Sequence, residues 1–319
     1  MTTPNSAPLG GTELHLGHIR KAFPDLFDQV QFICSRPKQV ELQEKPRLLY
    51  LQDTATDPES VCLKDPAYRK NFNRLVFCSH RQQYEYNLFC GIPYSEGMVI
   101  KNSVPVLTPT FPKPKTDKLQ FIYTSTPHRG LTVLAAAAEH LATVRQDWEL
   151  HVYSSLHIYG WHDADHQFDS LYEQLKRNPC VVYHGSVPNA EVRQAVLDAH
   201  VFVYPSIYSE MSCMAIQEAM MAGCLAITSG LGALPETCGE WAWTMPFSEN
   251  MNEMAGGTYN SMALALDRYW SEYTQSILPV QSSYFQTFYS FERRAPLWKA
   301  VLEQIIKEGP PKPEMLVIA

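Results

Sequence analysis

Residues 201–236 read VFVYPSIYSEMSCMAIQEAMMAGCLAITSGLGALPE, and this stretch decides the fold. Residues 201–204 form a short apolar run of β-branched and aromatic side chains, which predicts a buried strand. From Ser212 the apolar spacing becomes helical, and Gly223 is typical of a helix C-terminus. Residues 224–228 predict the next buried strand. A strand, a loop, a helix and a second strand in this order indicate a parallel α/β sheet.

Short apolar runs alternate with helical patterns along the rest of the chain, which again indicates parallel sheets. The other predicted strands are 30–34, 47–51, 74–78, 98–101, 119–124, 148–154 and 180–183. The patterns at 258–277 and 284–308 predict two long helices. Residues 103–118 carry four prolines and no periodicity, which is typical of a semi-rigid linker.

Residues 201–236 contain two glutamates that are candidates for ligand binding. Glu210 lies at the predicted start of the helix, and Glu218 follows eight residues later. Because eight helical residues rise roughly 12 Å, both side chains can line one edge of a groove and accept hydroxyl hydrogens. The alternative for Glu210 is an acid in the first helical turn that the helix dipole favours, and the alternative for Glu218 is an exposed position on the helix. The amides at the helix start can bind a diphosphate, and they belong to Met211, Ser212, Cys213 and Met214.

The spacing of these residues is similar to that of a known enzyme family. Pro205-Ser206, Glu210, Glu218-Ala-Met, Gly223 and Leu234-Pro235-Glu236 resemble the pattern of glycosyltransferase family 4, the retaining nucleotide-sugar transferases of GT-B fold. The resemblance implies two Rossmann-like α/β domains that face each other across a donor cleft, with a C-terminal helix that crosses back to the first domain. It also implies that Glu210 holds hydroxyls of the donor sugar, as a catalytic residue, and that Glu218 binds the ribose.

The resemblance suggests how the chain is divided. We expect an N-terminal acceptor domain at residues 1–112 and a nucleotide-sugar-binding domain at 113–283. Residues 284–319 would hold the returning helix and a tail. In the family a first strand precedes a G-G loop, whereas here nine mostly polar residues precede it, so that strand is expected to be missing.

Four residues of the first domain become candidates. Gly11 and Thr12 precede a predicted helix, and in the family the G-G loop at this place faces the donor phosphates. Asp53 and Asn102 each follow a predicted strand. The family often has His-Asp or His-Glu beside the reacting centre, and Gln52 replaces that histidine here. The resemblance therefore makes Asp53 a catalytic candidate and Asn102 a donor contact, while an ordinary loop start is the alternative for Asp53.

The second domain supplies the expected phosphate and base contacts. Arg129 stands where the family has a lysine before glycine, and Thr124 or Ser125 replaces the family's earlier arginine. One guanidinium can still hold two phosphate oxygens. A surface position is the alternative for Arg129. Residues 184–188 resemble the family's G-x-V turn, so Ser186 and Val187 are expected at the nucleobase.

Composition excludes several classes of protein. A net charge of −7 argues against a nucleic-acid partner, which needs a basic surface. Eight cysteines without a C-x-x-C pair predict reduced thiols and a cytoplasmic location. The polar N-terminus does not resemble a signal peptide, and no apolar run approaches the roughly 20 residues of a transmembrane helix. A peripheral membrane contact stays open.

Residues 162–166, His-Asp-Ala-Asp-His, form a competing constellation. D-x-D binds a divalent metal in the other large glycosyltransferase fold, GT-A, because carboxylates bind Mg²⁺ or Mn²⁺. Their position in a polar segment favours a solvated loop instead. We therefore expect neither a metal nor a cofactor, because Arg129 and the helix amides neutralise the diphosphate.

The sequence thus predicts an enzyme that transfers a hexosyl or deoxyhexosyl group from a nucleotide diphosphate sugar to a hydroxyl. The acceptor would be a saccharide or another hydroxyl compound, and the reaction would retain the anomeric configuration, in glycan or polysaccharide synthesis. Two alternatives remain. A sugar-nucleotide epimerase of the same GT-B architecture would need no acceptor, and a non-catalytic relic would bind the donor without turnover.

Overall fold

A computed structural model describes residues 10–311 of the 319-residue chain. The first strand that the sequence lacks would fall on residues 1–9, so this expectation lies outside the described residues, as does most of the expected tail. The chain forms two compact units. The large unit contains residues 10–11 and 104–290, and the small unit contains residues 12–103 with the helix Phe291–Glu308. The domain limits expected from the sequence, 112/113 and 283/284, stay a prediction.

The small unit is built on a four-stranded parallel sheet in the order β1-β2-β3-β4. Its strands are β1 (Gln31–Cys34), β2 (Arg47–Leu51), β3 (Arg74–Phe77) and β4 (Gly97–Val99). Its helices are α1 (Gly11–Ala22), α2 (Pro24–Gln29), α3 (Pro66–Arg69), α4 (His80–Cys90) and α13 (Phe291–Glu308). In the register of the central strands, Leu49 of β2 lies between Ile33 and Leu75. Both faces of β2 are buried, which is why RLLYL reads as a continuous apolar run.

The C-terminal helix α13 packs with the small unit, as the sequence predicts. The Trp298 ring lies 5.1 Å from the Tyr50 ring, edge to face, and is fully buried. At the other end of the helix, the Glu308 carboxylate pairs with Arg74 at 2.5 Å. Burial of the Trp298 side chain contributes more to the packing of α13 on the small unit than the Arg74–Glu308 ion pair does. This partly exposed pair contributes at most about 1 kcal/mol to stability.

The large unit carries a six-stranded parallel sheet in the order β10-β9-β8-β5-β6-β7. Its strands are β5 (Leu119–Thr124), β6 (Trp148–Tyr153), β7 (Val181–Tyr183), β8 (Val201–Tyr204), β9 (Leu225–Ser229) and β10 (Trp243–Met245). Its helices are α5 (Leu131–Val144), α6 (His162–Asp165), α7 (Asp169–Arg177), α8 (Asn189–Asp198), α9 (Met214–Met221), α10 (Leu234–Cys238), α11 (Met251–Arg268) and α12 (Glu272–Tyr289). Phe202 of β8 pairs with Ile122 of β5 and Ala226 of β9, so these strands form the centre of the core.

The strand order places a switch point between β5 and β8. From β5 the chain proceeds to β6 and β7 on one side, and from β8 it proceeds to β9 and β10 on the other. In parallel sheets, ligands bind beyond the carboxyl ends of the strands at such a point. A ligand-binding site is therefore expected among the loops that follow β5, β6, β7 and β8.

The structure confirms each predicted strand within two residues and corrects the C-terminal helices. The two predicted helices, 258–277 and 284–308, are three: α11, α12 and α13. The first break follows from Ser271, whose side chain accepts a hydrogen bond from Thr274 N and so begins α12. Extended backbone at Ser290 separates α12 from α13. Strand β10 was not predicted, because a half-buried run of three residues has no periodicity to detect.

Among residues 10–311, none of the helices combines the length and the apolar character that a crossing of the bilayer requires.

Candidate functional site

Buried polar atoms without a partner lie at the carboxyl edge of the large sheet. They are Thr126 Oγ1 and Arg129 Nε after β5, Ser154 Oγ after β6 and Ser186 Oγ after β7. An unsatisfied buried polar group costs about 1–3 kcal/mol. Four of them at one edge, next to the switch point, suit a polar ligand that supplies the missing partners.

Arg129 and Glu210 meet at the same edge. Arg129 Nη1 donates to Glu210 Oε1, and the Tyr204 hydroxyl donates to the same oxygen. The Arg129 guanidinium also lies over the Tyr208 ring, with its carbon 4.6 Å from the ring centroid. The side chain of Glu210 is 4% exposed and that of Arg129 is 23% exposed. The alternative of a surface position is therefore wrong for Arg129, and its partner Glu210 is buried as well.

Electrostatics keep Arg129 charged in this position. Burial lowers the pKa of its guanidinium, but Glu210 and the neighbouring Tyr204 and Tyr159 raise it, and the pKa lies well above its ordinary value. The pair is neutral as a whole, and the guanidinium keeps Nε without a partner. It can therefore take a further anionic oxygen.

Glu210 lies in a loop and not at the helix start, which corrects the sequence prediction. Helix α9 begins at Met214, four residues later. The segment after β9 packs against this loop: Ala233 N donates to the Glu210 carbonyl, and a Cβ on Gly232 would lie 2.4 Å from it. Gly232 also has a φ of +61°, which favours glycine. This contact holds the Glu210 backbone in its loop conformation.

Glu218 is the second predicted carboxylate, and it pairs with a residue that sequence reasoning missed. Arg193 Nε on α8 donates to Glu218 Oε1 at 2.9 Å. The side chains are 22% and 16% exposed, so the alternative of an exposed helix position is wrong for Glu218. Burial raises the pKa of Glu218, and Arg193 opposes this shift. Arg193 Nη2 is buried without a partner. A single arginine on a helix gives no sequence signal of such a role.

Of the predicted diphosphate amides, that of Met214 lies at the start of α9, that of Cys213 directly precedes it, and those of Met211 and Ser212 lie in the loop before it. Met211 and Cys213 are buried, and Cys213 precedes the helix without a side-chain cap. The Ser212 hydroxyl accepts from Gln217 Nε2 at 3.3 Å. The backbone of Gly11 lies close to Met214, since a Cβ on Gly11 would lie 3.2 Å from Met214 Sδ. Amides at the start of a helix can bind an anion.

Ser186 and Val187 lie in the turn that follows β7. Gly185 has a φ of +69°, which a glycine adopts without strain. His184 stacks on Tyr153, with ring centroids 4.2 Å apart and an interplanar angle of 2°. Both Ser186 and Val187 are half-buried, and the Ser186 hydroxyl lacks a partner. The stacking of His184 on Tyr153 thus fixes the turn against the end of β6. Its backbone groups and the Ser186 hydroxyl could contact a ligand.

The small unit brings Asn102 and Gln52 together. Asn102 Nδ2 donates to Gln52 Oε1 at 2.9 Å, and Gln52 Nε2 lies 3.3 Å from Asn102 Oδ1. The buried Tyr50 hydroxyl donates to the same Asn102 oxygen. Asn102 is 2% exposed. Gln52 therefore pairs with Asn102 through two amide contacts, which is a structural role at the place where the sequence resemblance leads one to expect histidine.

Asp53 follows β2, as predicted, and its carboxylate is partly exposed. The oxygen Oδ2 lies 3.9 Å from Arg36 Nε. The Ser35 hydroxyl accepts from the backbone amides of Gln52 and Asp53, and Ser35 has a φ of +59°, a strained value for serine. Thr12 lies in the first turn of α1. The catalytic role of Asp53 and the donor roles of Thr12 and Asn102 stay predictions.

The expectation of a solvated loop at residues 162–166 is wrong for Asp165. This carboxylate is buried and accepts from Ser155 Oγ at 2.8 Å, Leu156 N at 2.8 Å and Tyr172 OH at 2.7 Å. These bonds outweigh burial and lower its pKa. Across residues 10–311, three or more His, Cys, Asp or Glu side chains are nowhere grouped so that they could hold a metal ion.

Comparison with known proteins agrees with this site. Residues 119–258 match the family model "Glycosyl transferases group 1". This segment contains Arg129, Ser186, Glu210 and Glu218. The resemblance expected from the sequence is confirmed at this level, whereas the assignment to family 4 stays a prediction. None of the curated protein sequences that were compared matches the chain.

Solved structures show the same fold at low sequence identity. A glycosyltransferase from Rickettsia africae ESF-5 has a TM-score of 0.68 and 14% identity, over 97% of this chain and 85% of that chain. Sucrose-phosphate synthase from Thermosynechococcus elongatus gives 0.68 and 14%, over 92% and 78%. Anabaena Alr3699/HepE, in complex with UDP-glucose, gives 0.62 and 14%, over 82% and 72%. The predicted GT-B fold is thereby confirmed.

Proposed function

We propose that the chain is a retaining, metal-independent glycosyltransferase that moves a sugar from a nucleotide diphosphate sugar to an acceptor hydroxyl. The family match over residues 119–258 supports the reaction class. The observation that carries the proposal is the buried Arg129–Glu210 pair at the switch-point edge, surrounded by polar atoms without partners. Such an edge suits a ligand that carries both negative charge and hydroxyl groups.

The diphosphate would be held by Arg129 and by the first amides of α9. Arg129 is charged, and its Nε has no partner, so it can bind a phosphate oxygen. A diphosphate that takes over the guanidinium releases the Glu210 carboxylate from it. Glu210 can then accept hydroxyl hydrogens from the donor sugar, with Tyr204 still fixing its orientation.

Glu218 would bind the ribose hydroxyls. Its partner Arg193 favours the charged carboxylate against burial, and a carboxylate accepts two hydroxyl hydrogens better than a carboxylic acid does. Ser186 and Val187 would contact the nucleobase through the turn after β7. Glu218 and Arg193 are carried by α9 and α8, and Ser186 and Val187 by the turn after β7, all in the large unit.

The reaction balances without a metal. The bond from C1 of the sugar to the diphosphate oxygen breaks, and a bond from C1 to the acceptor oxygen forms on the same face. The acceptor proton passes to the leaving diphosphate, whose charge Arg129 and the helix amides stabilise. We also propose that Asp53 is a catalytic residue and that Asn102 contacts the donor. We further propose a role in glycan synthesis and a cytoplasmic location; the absence of a disulfide among the eight cysteines supports a reducing compartment.

A panel of UDP-, GDP- and dTDP-hexoses tests this proposal by proton NMR, with EDTA present. Each donor is incubated alone and with methyl glycosides or disaccharides. A new glycosidic linkage with the anomeric configuration of the donor is the expected result. A linkage of inverted configuration contradicts retention. An epimerised nucleotide sugar, formed without an acceptor, would identify an epimerase instead.

A further inference from the structure

The pair of Arg193 and Glu218 leaves part of the guanidinium unsatisfied. Arg193 Nε donates to Glu218 Oε1 at 2.9 Å, whereas Nη2 of the same guanidinium is buried without a partner among residues 10–311. In a complete fork, two nitrogens of the arginine donate to the two oxygens of the carboxylate. Here only one such bond forms. The N–H groups of Nη2 therefore lack an acceptor, which is unfavourable in a buried place unless a ligand supplies one.

The helix that carries Arg193 is held firmly in the large unit. Helix α8 packs against α9, which carries Glu218, and against β5. At the other end of α8, the buried Lys113 ammonium donates to the carbonyls of Val196 and Leu197. Because both ends of the pair lie on packed helices, Arg193 has little freedom to turn Nη2 towards another group of the chain. An acceptor from a bound ligand suits it instead.

The two charges together indicate the chemistry of that ligand. Nη2 requires an acceptor, and the Glu218 carboxylate offers about four acceptor positions, of which the bond from Arg193 Nε uses one. A phosphate would satisfy Nη2 but would be repelled by Glu218, and an ammonium group would have the opposite fault. A hydroxyl accepts and donates through the same oxygen, so it can bind both side chains at once. The pair is therefore suited to hydroxyl groups.

The pair lies on the segment that follows the proposed nucleobase turn. Residues 184–188 lead directly into α8, which begins at Asn189. Arg193 is four residues further on, a rise of roughly 6 Å along the helix axis. Helical side chains point back towards the N-terminus of their helix, which here means towards this turn. The turn also contains the buried Ser186 hydroxyl without a partner. One nucleoside is thus suited to contact the turn with its base and the pair with its ribose.

We propose that Arg193 is a specificity-determining residue that reads the vicinal hydroxyls of the ribose together with Glu218, so that the donor is a ribonucleoside diphosphate sugar and not a deoxyribonucleoside one. This inference rests on the proposed function and adds the choice between two classes of nucleotide. One ribose hydroxyl accepts from Arg193 Nη2 and donates to Glu218, and the other hydroxyl donates to Glu218. A deoxynucleotide leaves one of these buried groups unpaired, and sites built for a hydroxyl reject analogues that lack it for this reason.

Calorimetric titration of the full chain tests the inference with three sets of probes, the ribo, 2′-deoxy and 3′-deoxy forms of UDP, GDP and ADP. Mg²⁺ is included, so that a need for metal cannot prevent binding. For the base that the protein prefers, we expect wild type to bind the ribonucleotide about ten- to a hundredfold more tightly than either deoxy form. This is the usual effect of hydrogen bonds with a charged partner.

Variants of Arg193 separate direct recognition from support of the fold. Arg193→Ala should lower one of the two ribo-to-deoxy affinity ratios by about tenfold, because one hydroxyl loses its charged donor. Arg193→Lys keeps a charge beside Glu218 but replaces the fork by a single nitrogen, so it should bind the deoxy forms as wild type does and still lower the same ratio. Arg177→Ala is the matched control, since Arg177 is exposed on α7 of the same unit, and both ratios should stay unchanged.

The ratios distinguish the outcomes. A merely structural role of Arg193 lowers all affinities by one factor, so ratios that stay at the wild-type values in both Arg193 variants overturn the inference. Equal affinities of wild type for the ribo and deoxy forms overturn it as well, and they leave the proposed function standing. If Arg193→Ala does not fold, Arg193→Lys and the wild-type ratios decide. A chain that binds none of the nucleotides overturns the proposed function, and the inference falls with it.

Discussion

The guanidinium of Arg129 donates a hydrogen bond to the carboxylate of Glu210, 81 residues later in the chain. The pair joins the loop after β5 to the loop after β8, on the two sides of the switch point. Without a ligand the two side chains pair with each other through Nη1, and Arg129 Nε has no partner. With a diphosphate sugar, the same two residues can separate and bind its phosphate and its hydroxyls. This exchange is the basis of the proposed donor site.

Glu210→Gln should depress turnover strongly and leave the fold intact. Glutamine keeps the shape and can still accept from Tyr204, but it loses the charge that strengthens a hydroxyl contact, worth about 1.5–3 kcal/mol. We therefore expect the rate of transfer to fall at least tenfold, measured by release of nucleoside diphosphate. Glu253→Gln on the exposed first turn of α11 serves as control. A wild-type rate in Glu210→Gln would remove Glu210 from catalysis.

Arg129→Ala should destabilise the protein, because it leaves the Glu210 carboxylate buried without its counterion. Breaking a buried pair costs about 3–5 kcal/mol, and we expect somewhat less here because Arg129 is 23% exposed. The double variant Arg129→Ala/Glu210→Gln should recover part of the loss in denaturant unfolding. Arg145→Ala breaks a half-exposed cluster with Asp147 and Asp267 and should cost about 1 kcal/mol or less. Equal costs for the two arginines would contradict the burial argument.

Glu218→Ala should weaken donor binding by roughly 1.5–3 kcal/mol, about ten- to a hundredfold. Arg193→Ala should act in the same direction but less, since it removes the group that favours the charged carboxylate. Glu191→Ala on the exposed side of α8 is the control. Calorimetric titration with the preferred nucleotide measures all three. Unchanged affinity in Glu218→Ala would exclude a ribose contact.

The Lys113→Met substitution should lower the free energy of unfolding of the large unit. The buried Lys113 ammonium donates to the carbonyls of Val196, Leu197 and Ala199 at the end of α8. Loss of these charged bonds leaves buried acceptors without a donor, at a cost of about 2–4 kcal/mol. Lys115→Met is the control, because Lys115 is exposed two residues away. Equal midpoints in urea for both variants would refute this capping role.

Acid should destabilise the small unit through His15. Burial lowers the pKa of His15 to about 4, although the Ser103 carbonyl, 3.2 Å from Nδ1, favours the protonated ring. The unfolded chain, with a pKa near 6.5, binds the proton more readily, so stability is complete above about pH 6.5. It falls by about 3 kcal/mol in total as the pH drops to about 4. Denaturant unfolding at pH 7.5, 5.5 and 4.5 measures this loss. His15→Gln should flatten the profile, and an unchanged slope would contradict the assignment.

The sequence predicted the sheets well because their central strands are buried on both faces. All four residues of β8 and all five of β9 are buried, so they read as uninterrupted apolar runs. Helix α4 also carries local signals in its sequence, since Ser79 caps its start and Gly91 ends it in the left-handed region. Such signals are local, and a single sequence displays them in full.

The sequence named candidate residues of the site but not the pairs that they form. Glu210 and Glu218 were chosen from their spacing and the family resemblance, and Arg129 from the resemblance; neither carries information on which side chains meet. Arg193 was missed, because its role depends on the packing of α8 against α9. Asp165 was interpreted as solvated, because three hydrogen bonds from distant donors are invisible in a polar run. Contacts between elements decide these features.

Calorimetric titration of the wild type with UDP, GDP and dTDP in the presence of EDTA tests the central claim most directly. The account predicts that one of these nucleotides binds without any metal and that Arg129→Ala weakens its binding at least tenfold. Binding that appears only after Mg²⁺ or Mn²⁺ is added, or no binding of any of the three, would contradict a donor site built on Arg129 and the amides of α9.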